Sequence, residues 1–302
     1  MTIERVPYDE FSLFHENAEE FGIPYNGPPV VRRESVEVAP GRRLSALVWG
    51  DTSPELVLLH GGAQNAHTWD TVALALGRPL VAIDMPGHGH SDGGENGSLD
   101  VEANARDIAV AIHALAPEAR AIVGMSLGGI TTLALADHAP QLVRTAVLVD
   151  VTPGVDESKS SHIGAFVNGP ESFDGFDDLL ARTIEFNPTR TEASLRRGIL
   201  HNAEQREDGT WVWRYARFRN DDDVDASNHP DFSRLWDSLS GIDAPLVLAR
   251  GMLSQSVVDD ANEAEVLRRR PDARVVHFDQ AGHSIQGDMP VELAALLDEV
   301  TR

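Results

Sequence analysis

The sequence predicts an α/β protein: a mostly parallel, doubly wound sheet of eight strands that carries an inserted, mainly helical segment. Three observations lead there. Apolar runs bounded by Gly and Pro alternate with helical stretches along most of the 302 residues, the rhythm of repeated βα units. That rhythm breaks after Asp150 and resumes only at Pro245. The run Ala121-Ile122-Val123-Gly124-Met125-Ser126-Leu127-Gly128-Gly129 takes a short apolar strand directly into a glycine-flanked turn and then a helix.

In chain order, strands are expected at Val36–Val38, Leu44–Trp49, Leu56–His60, Leu80–Asp84, Ala121–Met125, Thr145–Asp150, Pro245–Ala249 and Val275–Phe278. Helical spacing covers Trp69–Leu76, Val101–Leu115, Gly128–His138, Asp260–Arg270 and Val291–Val300. In such a sheet, ligands bind beyond the carboxyl ends of the strands. Residues 1–35 read as a polar N-terminal arm, 36–152 and 242–302 as the two parts of the core, and 153–241 as a cap inserted over the strand ends. Within the cap, Phe173–Phe186 and Glu192–Gln205 look helical, Trp211–Tyr215 is aromatic, and Asp221–Asp223 forms an acidic loop.

Composition excludes several classes of function. The formal charge is −23, from 25 basic and 48 acidic residues, which opposes binding to nucleic acid or an anionic membrane surface. No apolar run is long enough to span a bilayer, and the acidic N-terminus lacks the features of a secretory signal, so a cytoplasmic location is the default expectation. There is no cysteine, which removes thiolate nucleophiles and thiolate metal sites. The single lysine, Lys159, lies in no phosphate-binding loop. No H-E-x-x-H or EF-hand pattern is present, so neither a metal nor a cofactor is expected.

The chemistry centres on Ser126. A serine on a tight strand-to-helix turn has its hydroxyl presented at the top of the sheet, provided the residues two before and two after it are small enough for neighbouring chain to pass. Gly89-His90-Ser91-Asp92-Gly93 has the same G-x-S-x-G pattern but sits in a polar loop with no strand before it and no apolar helix after it. Context therefore selects Ser126 as the candidate nucleophile.

Three further motifs surround that turn: Leu58-Leu59-His60-Gly61-Gly62-Ala63, Asp84-Met85-Pro86-Gly87-His88-Gly89-His90-Ser91, and Ala281-Gly282-His283-Ser284. In this order the four motifs resemble the α/β-hydrolase fold, specifically its capped branch of esterases, lactonases, carbon–carbon bond hydrolases and haloalkane dehalogenases. The resemblance spans residues 36–152 and 242–302. It implies Ser126 as nucleophile, His283 as general base, and the backbone N–H groups of Gly62 and Leu127 as an oxyanion hole. His60 is expected to shape the oxyanion loop, and His88 and His90 to stabilise theirs. The acid departs from the commonest pattern of the family, because Arg250–Gln255 contains no carboxylate. Some members instead keep it after the strand that follows the elbow helix, where Asp150 stands. Asp259 is the alternative, while Asp260 reads as a helix N-cap with Glu263 three residues on.

The resulting expectation is a serine hydrolase that cleaves a carboxylic ester or lactone through an acyl-enzyme. Serine at the nucleophile position disfavours the aspartate-based dehalogenase and epoxide hydrolase chemistries of this fold. Trp213 and Tyr215, with Met125 closer to the core, suggest a bulky apolar or aromatic substrate, although aromatics at alternate positions also build cores. The partner expected is a small molecule, with a homodimer open. A carbon–carbon bond hydrolase, a cofactor-free perhydrolase or haloperoxidase, and a non-catalytic ligand receptor of the same fold are the rival readings.

Overall fold

A computed structural model describes residues 5–94, 99–155, 157–187, 190–216 and 231–302. The expected acidic loop at 221–223 lies outside the described residues. In chain order the elements are α1 (Phe14–Glu20), β1 (Val31–Ala39), β2 (Arg42–Trp49), β3 (Leu56–Leu59), α2 (Asp70–Leu76), β4 (Leu80–Ile83), α3 (Val101–Leu115), β5 (Ala121–Met125), α4 (Leu127–His138) and β6 (Ala146–Val149). Then follow α5 (Glu157–Val167), β7 (Ser172–Phe173), α6 (Phe176–Phe186), α7 (Glu192–Asn202), β8 (Ala203–Gln205), β9 (Trp211–Trp213) and α8 (Leu235–Gly241). The chain ends with β10 (Leu246–Gly251), α9 (Asp260–Arg269), β11 (Arg274–Phe278), α10 (Ile285–Asp288) and α11 (Pro290–Val300).

Eight strands form one sheet in the order β1-β2-β4-β3-β5-β6-β10-β11. β2 runs antiparallel to both β1 and β4, and the other pairings are parallel. Both faces are covered, which is why β3, β4, β5 and β6 are apolar at almost every position and buried throughout. Alternate side chains divide between two cores. Val57 and Leu59 face one with Ile108, Leu133, Leu239 and Val266, whereas Leu56 and Leu58 face the other with Phe14, Val72 and Leu293. No described helix is long and apolar enough to cross a membrane.

The N-terminal segment is tied down. Phe14 is buried in the second core, and Arg33 of β1 joins Glu10 to Asp84, at the end of β4. β1 begins inside the expected arm, at Val31, since its pairing with β2 runs as far as Trp49.

Residues 153–241 differ from their expected elements at Glu192–Gln205. This stretch is not one helix: α7 stops at Asn202 and the chain becomes β8, which pairs with β9, while β9 pairs in turn with β7. Helical spacing in the sequence cannot register this, because ladder bonds to residues 172–173 and 211–213 decide it. The segment is joined to the loops beyond β3 and β4. Ala216 N–H donates to Gly87 O (2.7 Å), Gly89 N–H to Arg214 O (2.7 Å), and Asn202 Nδ2 to Ala63 O (2.7 Å).

Candidate active site

β5 leads into Ser126 at φ 49° and ψ −116°, and α4 begins at the next residue. A β-carbon makes this positive-φ conformation costly. The glycines around it are required by contact. A Cβ on Gly124 would lie 2.4 Å from Gly128 O, and one on Gly128 would lie 2.3 Å from Leu59 O. The turn can therefore be this tight only with glycine at both positions. Leu127 N–H, at the first residue of α4, has no intrahelical acceptor.

Among the described residues only two other non-glycine positions have positive φ, Ala63 (58°) and Asp150 (47°). They follow β3 and β6, on either side of β5. Positive φ concentrated beyond the carboxyl ends of three adjacent strands makes this a candidate functional site.

The Asp150 side chain is fully buried and accepts four hydrogen bonds. Gly251 N–H (2.9 Å) and Ser256 Oγ (2.6 Å) donate to Oδ1, and Val257 N–H (3.0 Å) and His283 Nδ1 (2.9 Å) to Oδ2. An ionised carboxylate only accepts, so His283 carries its proton on Nδ1 and keeps the Nε2 lone pair free for another partner. The His283 loop can come this close because Gly251 has no side chain: a Cβ there would lie 2.2 Å from Gly282 O.

On the β3 side, His60 is completely buried. Its Nδ1 donates to Gly61 O (2.7 Å) and its Nε2 accepts Met85 N–H (2.8 Å), so the ring is neutral, and burial pushes its pKa below the usual value. His88 Nδ1 donates to Pro86 O (3.0 Å), and burial, with His60 beside it, lowers its pKa to about 3. His90 enters its loop through its backbone, whose N–H donates to Asp84 (3.1 Å).

Ser91 is engaged in holding its loop: Oγ donates to Asp84 O (2.6 Å) and accepts Ser45 N–H (2.8 Å). Asp259, not Asp260, caps α9, accepting Asn262 N–H (2.8 Å), while Asp260 pairs with Arg250 (2.7 Å). The expected cap at Asp260 is thus displaced by one residue, because Asp259 retains the extended backbone a cap needs. Met125 is 2% exposed and its sulfur lies against Gly61. Trp213 stacks on Tyr215 (5.4 Å between ring centroids) and meets Phe166 and Phe173 edge-on, while Tyr215 packs with Ala63 and Val167 beside the loop after β3. The sequence reading missed Ser256 and the two backbone donors to Asp150. A serine five residues beyond a strand carries no signal by itself.

Residues 54–290 match the α/β hydrolase fold family, and the chain belongs to it. The esterase Rv0045c of Mycobacterium tuberculosis is 42% identical over 296 residues, covering 96% of this chain and 94% of that protein. A solved structure of that esterase gives a TM-score of 0.85 at 41% identity, covering 98% of this chain and 99% of the other. The sn-1-specific diacylglycerol lipase ABHD11 of Xenopus laevis is 28% identical over 245 residues, 78% of this chain and 75% of its own.

Proposed function

We propose that this protein is a serine esterase that works through an acyl-enzyme, with Ser126 as nucleophile, His283 as general base and Asp150 as the acid that orients it. The observation that carries this reading is the 2.9 Å contact between His283 Nδ1 and Asp150 Oδ2, within a fold whose strained serine turn lies one strand away. The whole-length similarity to a mycobacterial esterase supports the same reaction class.

In this mechanism His283 Nε2 takes the Ser126 proton as Oγ attacks the ester carbonyl, and Asp150 stabilises the imidazolium that forms. The negative oxygen is received by the N–H groups of Gly62 and Leu127. His283 then returns its proton to the leaving alcohol, which departs. Water adds to the acyl-enzyme by the same route in reverse, and the acid is released with Ser126 restored. A lactone opens by identical steps, its alcohol remaining attached to the acid. Residues 153–241 act as a cap, and the Trp213–Tyr215 stack beside Ala63 favours esters with a bulky apolar or aromatic group.

A panel of p-nitrophenyl esters and lactones, with Ser126→Ala as control, tests the reaction class. Fluorophosphonate labelling followed by intact-mass measurement tests the nucleophile. Folded protein that neither turns over any ester nor accepts one equivalent of label would make the molecule a ligand receptor instead.

A further inference from the structure

Away from Ser126, three buried side chains from separate parts of the chain converge. His67 lies in the turn before α2, Asp70 begins α2, and His201 lies near the end of α7. One ligand atom from each falls within 4.8 Å of the others. His67 Nδ1 is 2.8 Å and His201 Nε2 3.9 Å from Asp70 Oδ2. Tetrahedral zinc with bonds of about 2.0–2.1 Å has neighbouring ligand atoms about 3.3 Å apart, a spacing that these distances bracket.

The outer side of each ring is also held. His67 Nε2 lies 3.1 Å from Glu10 Oε1, and His201 Nδ1 lies 2.8 Å from Tyr8 Oη. An oxygen on the far nitrogen is the usual support of a metal-bound histidine, since it fixes the tautomer and aims the other lone pair at the ion. Asp70 supplies a second, independent indication. Its Oδ1 is buried and has no hydrogen-bond partner among the described residues, a position that is costly for a carboxylate oxygen and that a cation would relieve.

From this geometry we infer that His67, Asp70 and His201 form a binding site for one divalent transition ion of the zinc type, with Glu10 and Tyr8 orienting the two imidazoles. The donor set of two imidazoles and a carboxylate suits zinc. On binding, the ion replaces the proton that His67 Nδ1 shares with Asp70, and that proton passes to solvent. The rings, now stacked 3.8 Å apart at 13°, tilt so that both lone pairs meet the ion. The ion would then fasten residues 8–10 and α7 to α2. It takes no part in the proposed ester chemistry, so failure of either idea leaves the other standing.

The test uses the full chain, stripped with EDTA and dialysed, then titrated with Zn²⁺ by calorimetry and with Co²⁺ by visible absorption. The expected result is one tight equivalent, a tetrahedral Co²⁺ spectrum and a raised Tm. His201→Ala should abolish all three while remaining folded by circular dichroism. Tyr8→Phe, which leaves every ligand in place, should weaken binding by roughly 10- to 100-fold. Absence of a stoichiometric equivalent, or an equivalent retained unchanged in His201→Ala, would overturn the site and assign any bound ion to the acidic surface.

Discussion

His60 donates from Nδ1 to the carbonyl of Gly61 at 2.7 Å, and this bond fixes the peptide whose other end is the N–H of Gly62. A peptide is planar and trans, so its carbonyl and N–H point in opposite directions. With the carbonyl drawn toward the buried ring, the N–H is directed away from it. His60→Ala should therefore misaim a proposed oxyanion donor and lower kcat by up to about 10² to 10³-fold, the range for losing one such donor outright. KM should change less. Stability should fall as well, since Met85 N–H would lose its buried acceptor. Steady-state kinetics at a temperature where the variant is still folded separates the two effects, and an unchanged kcat would refute the role.

Ser126→Ala should lower kcat by roughly 10³ to 10⁶-fold, as deletion of a triad nucleophile does, and because alanine keeps the β-carbon the strain at this positive φ is unchanged, so the fold should persist. Ser91→Ala should behave differently. Its hydroxyl both donates to Asp84 O and accepts Ser45 N–H, so the cost should appear in Tm. The opposite pattern, with activity lost only in Ser91→Ala, would move the nucleophile.

Asp150→Asn keeps the size of the side chain, but its amide nitrogen cannot accept, so it breaks part of the four-donor arrangement and removes the charge facing His283. A fall in kcat of about 10² to 10⁴-fold is expected. Asp259→Ala should leave kcat nearly unchanged and instead lower stability by about 0.5–2 kcal/mol, the cost of losing an N-cap. Chemical denaturation alongside kinetics distinguishes them. Loss of activity in Asp259→Ala with retention in Asp150→Asn would transfer the acid.

How much of this was legible in the sequence depended on whether a feature is local. The sheet and its helices follow from period and punctuation: Val57 and Leu59, Leu56 and Leu58 alternate faces as a strand must. Ser126 was legible because its strain demands glycines at fixed offsets. Asp150 is legible only through the resemblance to members that keep the acid after this strand, because Arg250–Gln255 carries no carboxylate. Its hydrogen-bonding partners Gly251, Ser256 and Val257 were invisible, since they meet it only because β6 and β10 are neighbours. The same holds for β8 and β9, whose three-residue lengths carry no periodicity, and for His201, which approaches Asp70 only through tertiary packing.

The cap reading can be tested through Trp213 and Tyr215, whose rings stack beside Ala63. Trp213→Ala should raise KM for a bulky aromatic ester more than for a small acetate ester, which needs little of the pocket. Equal losses on both substrates, with a lowered Tm, would make the two rings packing for residues 153–241 and remove the argument for a bulky substrate.

Acid should destabilise the protein through the buried imidazole of His88. His88 has its pKa lowered to about 3 by burial and by the neighbouring His60, which is itself lowered by burial. Unfolded histidine titrates near 6.5. Between about pH 6.5 and 3 the unfolded chain therefore binds a proton at position 88 that the folded chain does not, and stability falls as pH falls through that window. The slope from this residue alone approaches about 1.4 kcal/mol per pH unit. Carboxylates add their own slope, so the informative quantity is a difference between variants. In denaturant melts at pH 7, 6 and 5, His88→Asn should lose less stability on acidification than the parent protein, because its amide can still donate to Pro86 O and cannot take up a proton. Parallel pH profiles for the two proteins would show that His88 does not hold its neutral form against protonation, and the acid sensitivity would have to come from other groups.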